Sequence, residues 1–223
     1  MNVYVIRHGL ARSNLADPAS CPYNPIFESI EAFDPSLTPQ GEMQADLTGK
    51  RLSGISFTAA FASPLHRALS TCAGILRHQK DHLTIEVIPA LAECYSTNHP
   101  LMSEDLRRHI WSDIQLIQPY DLPEDTHHNR WTRACRVVDY LKQRFPGEEN
   151  VLVVSHGTFI SQYLNAALLG FTEDQAEKYR LASENCSVTK MRIVGNERIT
   201  VNTIDETAHL GDIVSRDPFA VID

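Results

Sequence analysis

The sequence has no long hydrophobic run, no C-x-x-C pair and no excess of positive charge. Across its 223 residues, no window approaches the apolar length that a membrane-spanning helix needs. Its five cysteines are odd in number and widely spaced, which favours free thiols over a disulfide framework or a zinc site. A net charge of −8 argues against a nucleic-acid surface. Any anion site must therefore be a local basic pocket in an acidic protein.

Internal repeats, low-complexity tracts and long linkers are also absent from the sequence, so we expect one domain spanning residues 1–223. No signal peptide is expected because Met1 leads directly into an apolar, strand-like run. The expected location is therefore cytoplasmic, with no membrane partner. The sequence is compatible with a monomer or a homodimer.

Strand-like and helix-like segments alternate along the chain. The predicted strands are apolar runs at 3–6, 59–62, 84–91 and 151–154. The predicted helices have apolar residues at helical spacing and lie within 37–54, 63–79, 130–145 and 158–170. Two further β-like segments, 187–195 and 198–204, are predicted to form a hairpin at Gly195 and Asn196. Continuous apolar strands between helices predict a three-layer α/β/α sandwich with a mostly parallel, doubly wound sheet.

Proline, glycine and serine predict where the helices begin and end. Pro39 suits the first turn of one helix, and Gly54 suits its end. Ser63 is predicted as the N-cap of the next helix, with Pro64 as its first residue.

Two polar segments, 15–36 and 96–128, interrupt the alternation of strands and helices. We expect loops or small helices there, and long excursions of this kind often cap an active site. Four aromatic residues in or beside them are candidates for a substrate wall, although packing of the loops onto the sheet explains them equally well: Tyr23, Phe27, Tyr95 and Trp111.

The stretches VYVIRHG and VLVVSHG share one design: four strand residues, one polar residue, then His-Gly. Ligands of an open parallel sheet bind beyond the carboxyl ends of the strands, so His8 and His156 are expected at the same edge. Arg7 and Arg67 are expected to join them. A cluster of positive groups is stable only when an anion such as phosphate neutralises it.

Six segments in order resemble the histidine phosphatase superfamily, which includes the phosphoglycerate mutases. They are RHGLARSN, DPSLTPQGEMQA, SPLHRALSTC, LAE, VLVVSHG and NCSVT. The resemblance implies that His8 is the nucleophile that becomes a phosphohistidine. It also implies the remaining roles: Arg7, Arg67 and His156 around the phosphoryl group, Asn14 near its oxygens, and Glu93 as proton donor to the leaving group. Thr158, which follows the second His-Gly, is added to the predicted substrate-binding residues.

Phosphoryl transfer needs an in-line nucleophile and positive charge around the equatorial oxygens. A neutral imidazole can attack directly if an acceptor, such as a carbonyl near Gly9, holds its other ring nitrogen. No step requires a cofactor or a metal. The run DTHHN at 125–129, with Glu124, is interpreted as a solvated polar loop rather than a metal site.

The resemblance leaves phosphatase and mutase both open, because both reactions begin with the same phosphohistidine. Leu10 and Ala11 stand where mutases typically have a glutamate and a hydroxyl residue, and Thr158 stands where they usually have asparagine. The segment IDETAHL at 204–210 is similar to an ending frequent in phosphatases. These differences favour hydrolysis of a small phosphorylated substrate. Mutase-type transfer, with Arg107 and Arg108 as a candidate second anion site, and a non-catalytic phospho-ligand-binding protein are the alternatives.

Overall fold

A seven-stranded sheet is the centre of the computed structural model, which describes residues 1–15, 34–93, 104–117, 127–195 and 198–215. The strands are β1 Asn2–Arg7, β2 Ala59–Ala62, β3 Ile85–Val87, β4 Ile114–Leu116, β5 Asn150–Ser155, β6 Val188–Val194 and β7 Arg198–Glu206. Their order is β4-β3-β2-β5-β1-β6-β7. The first five in that order are parallel, whereas β6 and β7 are antiparallel to their neighbours.

Helices connect the strands on both faces of the sheet. The α-helices are α1 Pro39–Leu52, α2 His66–Leu76, α3 Glu104–Ile110, α4 His127–Arg144, α5 Asn165–Leu168 and α6 Glu173–Lys178. A π-helical segment, Phe159–Leu164, leads into α5. Short 3-10 turns lie at Arg12–Asn14, Pro89–Leu91 and Ala208–Ile213. None of the helices in the described ranges combines the length and hydropathy that crossing a membrane requires.

Successive residues of the central strands enter two separate hydrophobic cores. Val3 and Val5 pack with α4 and the π-helical segment on one face, whereas Tyr4 and Ile6 pack with α2 on the other. A strand that is buried on both faces must be apolar at every position, because its side chains alternate between faces. The predicted three-layer α/β/α sandwich is therefore confirmed.

The prediction for the start of α2 is wrong. The helix begins at His66 rather than at Pro64, and its N-cap residue is Leu65. The Ser63 hydroxyl does accept from the Leu65 N–H at 3.3 Å, but it also bonds His156 at 2.7 Å. The His66 N–H instead donates to the carboxylate of Asp34 at 2.7 Å. A residue distant in sequence therefore caps this helix.

The segment 96–128 contains a small helix, as predicted, but also a strand and the start of a long helix that the sequence does not predict. Its described part includes α3 and the edge strand β4, which pairs with β3 at Ile85 and Ile114. His127 and His128 begin α4 rather than lying in a polar loop, and Glu124 lies outside the described residues. A strand of three residues has too little periodicity to be distinguished from a loop by its sequence.

The predicted strand 84–91 is too long, since β3 ends at Val87 and a 3-10 turn follows at Pro89–Leu91. The predicted ends of α1 and of the β6–β7 pair agree more closely with the structure. Pro39 is the first residue of α1, and Gly54 follows the end of that helix. The strands β6 and β7 form the expected antiparallel pair. Gly195 has a φ of +59°, which glycine adopts readily, while Asn196 lies outside the described residues.

Candidate active site

Three parallel strands deliver the candidate site residues to one edge of the sheet. β1 and β5 pair in register from Asn2↔Asn150 to Arg7↔Ser155, so His8 and His156 each follow a strand at the same level. The centroids of the two imidazole rings lie 5.0 Å apart, with the ring planes at 62°. The structure thus brings the two predicted histidines together.

Hydrogen bonds to both ring nitrogens determine the tautomer of His8. Nδ1 lies 2.8 Å from the Gly9 carbonyl oxygen, which can only accept, so Nδ1 carries the proton. Nε2 accepts from Nε of Arg67 at 3.2 Å. Burial, followed by the charges of Arg67 and Arg7, holds the pKa of His8 well below 6.5. The ring is therefore neutral, with its lone pair on Nε2.

The two predicted arginines are buried beside this ring. Nη1 of Arg7 donates to the Ser183 carbonyl at 2.7 Å, and Nη1 of Arg67 lies 3.5 Å from the carboxylate of Asp34. Both side chains are largely excluded from solvent. A Cβ on Gly157 would lie 3.0 Å from Cζ of Arg7, so the second His-Gly needs its glycine to make room for this guanidinium.

The backbone around His8 is held from β5, α1, α2 and the loop before β6. His8 donates its N–H to the Ser155 carbonyl, and its own carbonyl accepts from the Asn185 amide at 2.8 Å. Thr71 accepts from the Gly9 N–H at 2.9 Å, and Gln44 accepts from the Leu10 N–H at 2.8 Å. This segment therefore has little freedom to move when a ligand binds.

Glycines allow the loop that contains Gly9 and Leu10 to lie directly against α1. A Cβ on Gly9 would lie 2.5 Å from the Gly41 carbonyl oxygen, and one on Gly41 would lie 2.1 Å from the Leu10 carbonyl oxygen. Both contacts are with backbone, which cannot turn aside as a flexible side chain can. The loop and α1 consequently approach as closely as two peptide chains permit.

His156 is fully buried, and its Nε2 shares a hydrogen bond with the Ser63 hydroxyl at 2.7 Å. Burial and the nearby charge of Arg67 hold its pKa well below 6.5. Among the described residues, its Nδ1 has no hydrogen-bond partner. An unpartnered ring nitrogen beside buried arginines is available to a ligand.

Glu93 and Thr158 lie together at this edge of the sheet. Glu93 follows the 3-10 turn after β3, and its partly buried carboxyl is hydrogen-bonded to the side chain of Thr158. Burial raises the pKa of Glu93, although the Thr158 bond and the charges of Arg67 and Arg7 act against that rise. The group therefore retains its proton to a higher pH than an exposed glutamate does.

Other predicted residues have different surroundings. Asn14 accepts from the Ala11 N–H at 3.1 Å, so its side-chain oxygen closes its own turn, and its role near phosphate stays a prediction. Trp111 stacks on His82 at 5.0 Å and donates to the Leu83 carbonyl beside the start of β3. It therefore packs α3 onto the sheet rather than forming a substrate wall. Tyr23, Phe27 and Tyr95 lie outside the described residues.

Several residues of the site were not singled out from the sequence, above all Arg133 and Asp34. Arg133 is 1% exposed and lies on α4 next to Ala134, on the face that packs against the sheet. A charged residue on an otherwise apolar helix face is a signal that could have found it. No local signal marks Asp34 as a partner of Arg67, because the two are distant in sequence. Among the described residues, no cluster of histidine, cysteine and carboxylate side chains could hold a metal ion.

Fold and site together define a doubly wound α/β protein with paired histidines and arginines at the carboxyl ends of its strands. The chain belongs to the histidine phosphatase superfamily (branch 1), whose family model matches residues 3–206. The family predicted from the six segments is thereby confirmed.

Comparison with known proteins finds a mutase that is similar in sequence and phosphatases that are similar in structure. A 2,3-bisphosphoglycerate-dependent phosphoglycerate mutase of Brucella melitensis is 30% identical over 188 residues, covering 79% of this chain and 85% of the relative. The alpha-ribazole phosphatase of Shigella flexneri has a similar structure, with 21% identity and a TM-score of 0.62 over 92% of this chain and 96% of that one. A phosphoserine phosphatase mutant of Entamoeba histolytica, in complex with phosphoserine, has 20% identity and a TM-score of 0.60 over 94% and 98%. The structural similarities concern the fold alone.

Proposed function

We propose that this chain, as one domain spanning residues 1–223, hydrolyses a small phosphomonoester through a phosphohistidine on His8. The observation that carries the proposal is the state of His8: a neutral ring whose proton is on Nδ1 and whose lone pair is on Nε2, between Arg67 and His156. Such an imidazole is ready to attack phosphorus.

The first step transfers the phosphoryl group to His8. Nε2 forms a bond to phosphorus while the bond to the leaving oxygen breaks, and Glu93 donates its proton to that oxygen. In the absence of a ligand, the Nε–H of Arg67 donates to Nε2 of His8. When the substrate binds, this N–H donates to a phosphoryl oxygen instead, which leaves the Nε2 lone pair free to attack. Arg7 and His156 surround the remaining charge.

The second step returns His8 to its starting state. Water attacks phosphorus, the Glu93 carboxylate accepts the proton of that water, and the P–N bond breaks to release inorganic phosphate. The carboxyl that acts as an acid in one step thus acts as a base in the next. That the segments 15–36 and 96–128 cap the site stays a prediction, because residues 16–33, 94–103 and 118–126 lie outside the described residues.

Leu10 and Ala11 support hydrolysis over mutase chemistry. Both side chains are buried, and neither can supply the carboxylate or the hydroxyl that the mutase pattern has at these positions. Without those groups, a bound phosphorylated product has fewer partners that retain it for a second transfer.

Mutase-type transfer is the second candidate, and two observations favour it. The 30% identity is to a mutase. Arg107 on α3 is buried, and within the described residues its Nε and Nη1 have no hydrogen-bond partner, which is typical of a position that receives an anion.

Hydrolysis of p-nitrophenyl phosphate in excess EDTA tests the first candidate. The wild type is expected to release inorganic phosphate, and His8→Ala is expected to release none. Mass spectrometry of the wild type after brief exposure to substrate should find phosphate on His8. Arg77→Met, an exposed substitution at the end of α2, serves as the control and should retain activity.

Two results would contradict the proposal. One is equal inertness of wild type and His8→Ala toward a broad panel of phosphomonoesters, which would favour the non-catalytic alternative. The other is conversion of 3-phosphoglycerate to 2-phosphoglycerate at a rate well above hydrolysis, which would establish the mutase.

A further inference from the structure

Among the residues that the structure describes, Arg133 is the largest fully buried side chain. It is 1% exposed on α4, and its guanidinium lies 4.9 Å from the centre of the Phe159 ring. Burial of a cation is costly unless hydrogen bonds compensate for the water that it loses. The hydrogen-bond partners of this guanidinium therefore indicate which part of the structure it stabilises.

Those partners are backbone carbonyls of the segment that carries Glu93. Nη1 donates to the Ala92 carbonyl at 3.0 Å and to the Ala90 carbonyl at 3.3 Å. Nη2 is 3.5 Å from the carbonyl of Glu93 itself, a longer bond. One planar side chain thus holds three carbonyls within four residues.

The remaining carbonyl of this segment is held from β5. The Ser155 hydroxyl donates to the Leu91 carbonyl at 2.6 Å, and Ser155 immediately precedes His156. Every carbonyl from Ala90 to Glu93 therefore accepts from one of two buried side chains. A segment without regular secondary structure beyond its 3-10 turn is in this way fixed to two elements of the site.

The carboxyl of Glu93 is held by a separate contact. Thr158 hydrogen-bonds that carboxyl, and the next residue, Phe159, contacts Arg133. Arg133 thus contacts the backbone of Glu93 directly, and it is linked to the Glu93 carboxyl through Phe159 and the adjacent Thr158. The cations that lower the pKa of Glu93 are Arg67, Arg7 and Arg130. Arg133 instead donates to the carbonyls of the segment that carries Glu93.

We propose that Arg133 is a positioning residue that holds the Glu93 segment so that the Glu93 carboxyl reaches the leaving oxygen of the substrate. The inference rests on the proposed function, because it assigns Arg133 a part in the proton transfer of that reaction. Proton transfer requires hydrogen-bond distance, and a displacement of about 1 Å can cost on the order of 10²-fold in rate.

The leaving group of the substrate provides the test. p-Nitrophenolate leaves without help from an acid, whereas the alkoxide of glycerol phosphate needs a proton. Arg133→Met is expected to lower kcat/KM for glycerol phosphate by about 10²-fold, with a much smaller loss for p-nitrophenyl phosphate. The ratio kcat/KM is compared because it reports the transfer to His8 and not the later attack of water, in which Glu93 serves both substrates alike. Arg133→Lys should recover only part of the loss, because one ammonium cannot match a guanidinium fork across three carbonyls. Lys142→Met removes a half-buried charge from the same helix and should leave the relative kcat/KM of the two substrates unchanged.

Each remaining outcome overturns the inference in a distinguishable way. Equal loss on both substrates, or full recovery with lysine, would assign Arg133 to general stability or to charge alone. A wild type inert toward both substrates would remove the proposed function and the inference with it. If Arg133→Met does not fold, as judged by circular dichroism, Arg133→Lys decides: a changed relative kcat/KM of the two substrates supports positioning, and the wild-type value contradicts it.

Discussion

At the scale of single residues, His8 and Glu93 depart from ordinary acid–base behaviour in opposite directions. Burial lowers the pKa of the imidazole and raises that of the carboxyl, since it disfavours the charged form of each. His8 therefore stays a free base as the pH falls below 6.5. Glu93 stays an acid as the pH rises above 4.5. The proposed nucleophile and the proposed proton donor are consequently both in their reactive protonation states in mildly acidic solution.

Glu93→Gln should remove the alkaline decline of the pH profile. In the wild type, kcat for glycerol phosphate is expected to fall as the pH rises through the pKa of Glu93, because the carboxyl loses the proton that it must donate. Glutamine keeps the shape but has no such proton, so kcat should be about 10²–10⁴-fold lower and insensitive to pH on that side. Steady-state kinetics across the acid and neutral range measure both effects.

The control for this variant is Glu148→Gln, an exposed carboxylate that pairs with Arg192. It should retain the wild-type profile. A Glu93→Gln enzyme with an undiminished alkaline decline would show that another group supplies the proton.

At the scale of elements, the site depends on a direct contact between the backbone of α1 and the backbone of the loop after β1. Gly41 lies in the first turn of α1, where the Thr38 hydroxyl caps its N–H at 3.1 Å. Gly9 and Leu10 lie against it without any intervening side chain. The position of α1 and the position of His8 are therefore coupled.

Gly41→Ala should destabilise the protein and lower kcat together. The added Cβ would lie 2.1 Å from the Leu10 carbonyl oxygen, so the helix or the loop must shift. We expect the free energy of unfolding to fall by about 1–3 kcal/mol, a loss that exceeds the gain of up to about 1 kcal/mol from alanine in a helix. Urea denaturation and kcat for p-nitrophenyl phosphate measure the two effects.

Gly54→Ala is the matched control, since nothing lies within 4 Å of its added Cβ. It should have wild-type stability and wild-type kcat. If Gly41→Ala behaves in the same way, the contact between α1 and the loop has no part in holding His8.

At the scale of the whole molecule, an acidic protein concentrates cations where its strands end. The net charge is −8, yet Arg7, Arg67 and Arg133 are all buried at or beside one edge of the sheet. An anion bound among them would relieve their mutual repulsion. The folded protein should therefore be more stable with a phosphate-like ligand than without it.

Tungstate, an oxyanion similar to phosphate, is expected to raise the Tm. A ligand that binds only the folded state at about 100 times its Kd adds about 2.7 kcal/mol to the free energy of unfolding. Arg67→Met should lose most of this shift, while Arg77→Met should retain it. Differential scanning calorimetry at matched ionic strength, with chloride as reference, measures the effect. An equal shift in both variants would mean that tungstate binds elsewhere.

The sequence by itself determined the sheet, the family and the edge at which the histidines meet. These follow from local patterns: an apolar run that ends in His-Gly predicts where a side chain emerges, and parallel strands bring such ends together. The three-residue strand β4 and the true start of α2 were not predicted. Strand β4 has only three residues, which is too few for a recognisable alternation of apolar and polar side chains. The first N–H of α2 is capped by Asp34, which is distant in sequence.

Only the tertiary structure decided how the site residues are held and charged. The lone pair of His8 lies on Nε2, which faces Arg67, because the Gly9 carbonyl accepts the hydrogen bond of Nδ1–H. The pKa shifts of His8 and Glu93 come from burial by elements distant in the chain. The contact of Arg133 with the Glu93 segment likewise depends on how α4 packs against the turn after β3. Burial and hydrogen-bond partners are properties of packed elements, so no local pattern of residues could specify them.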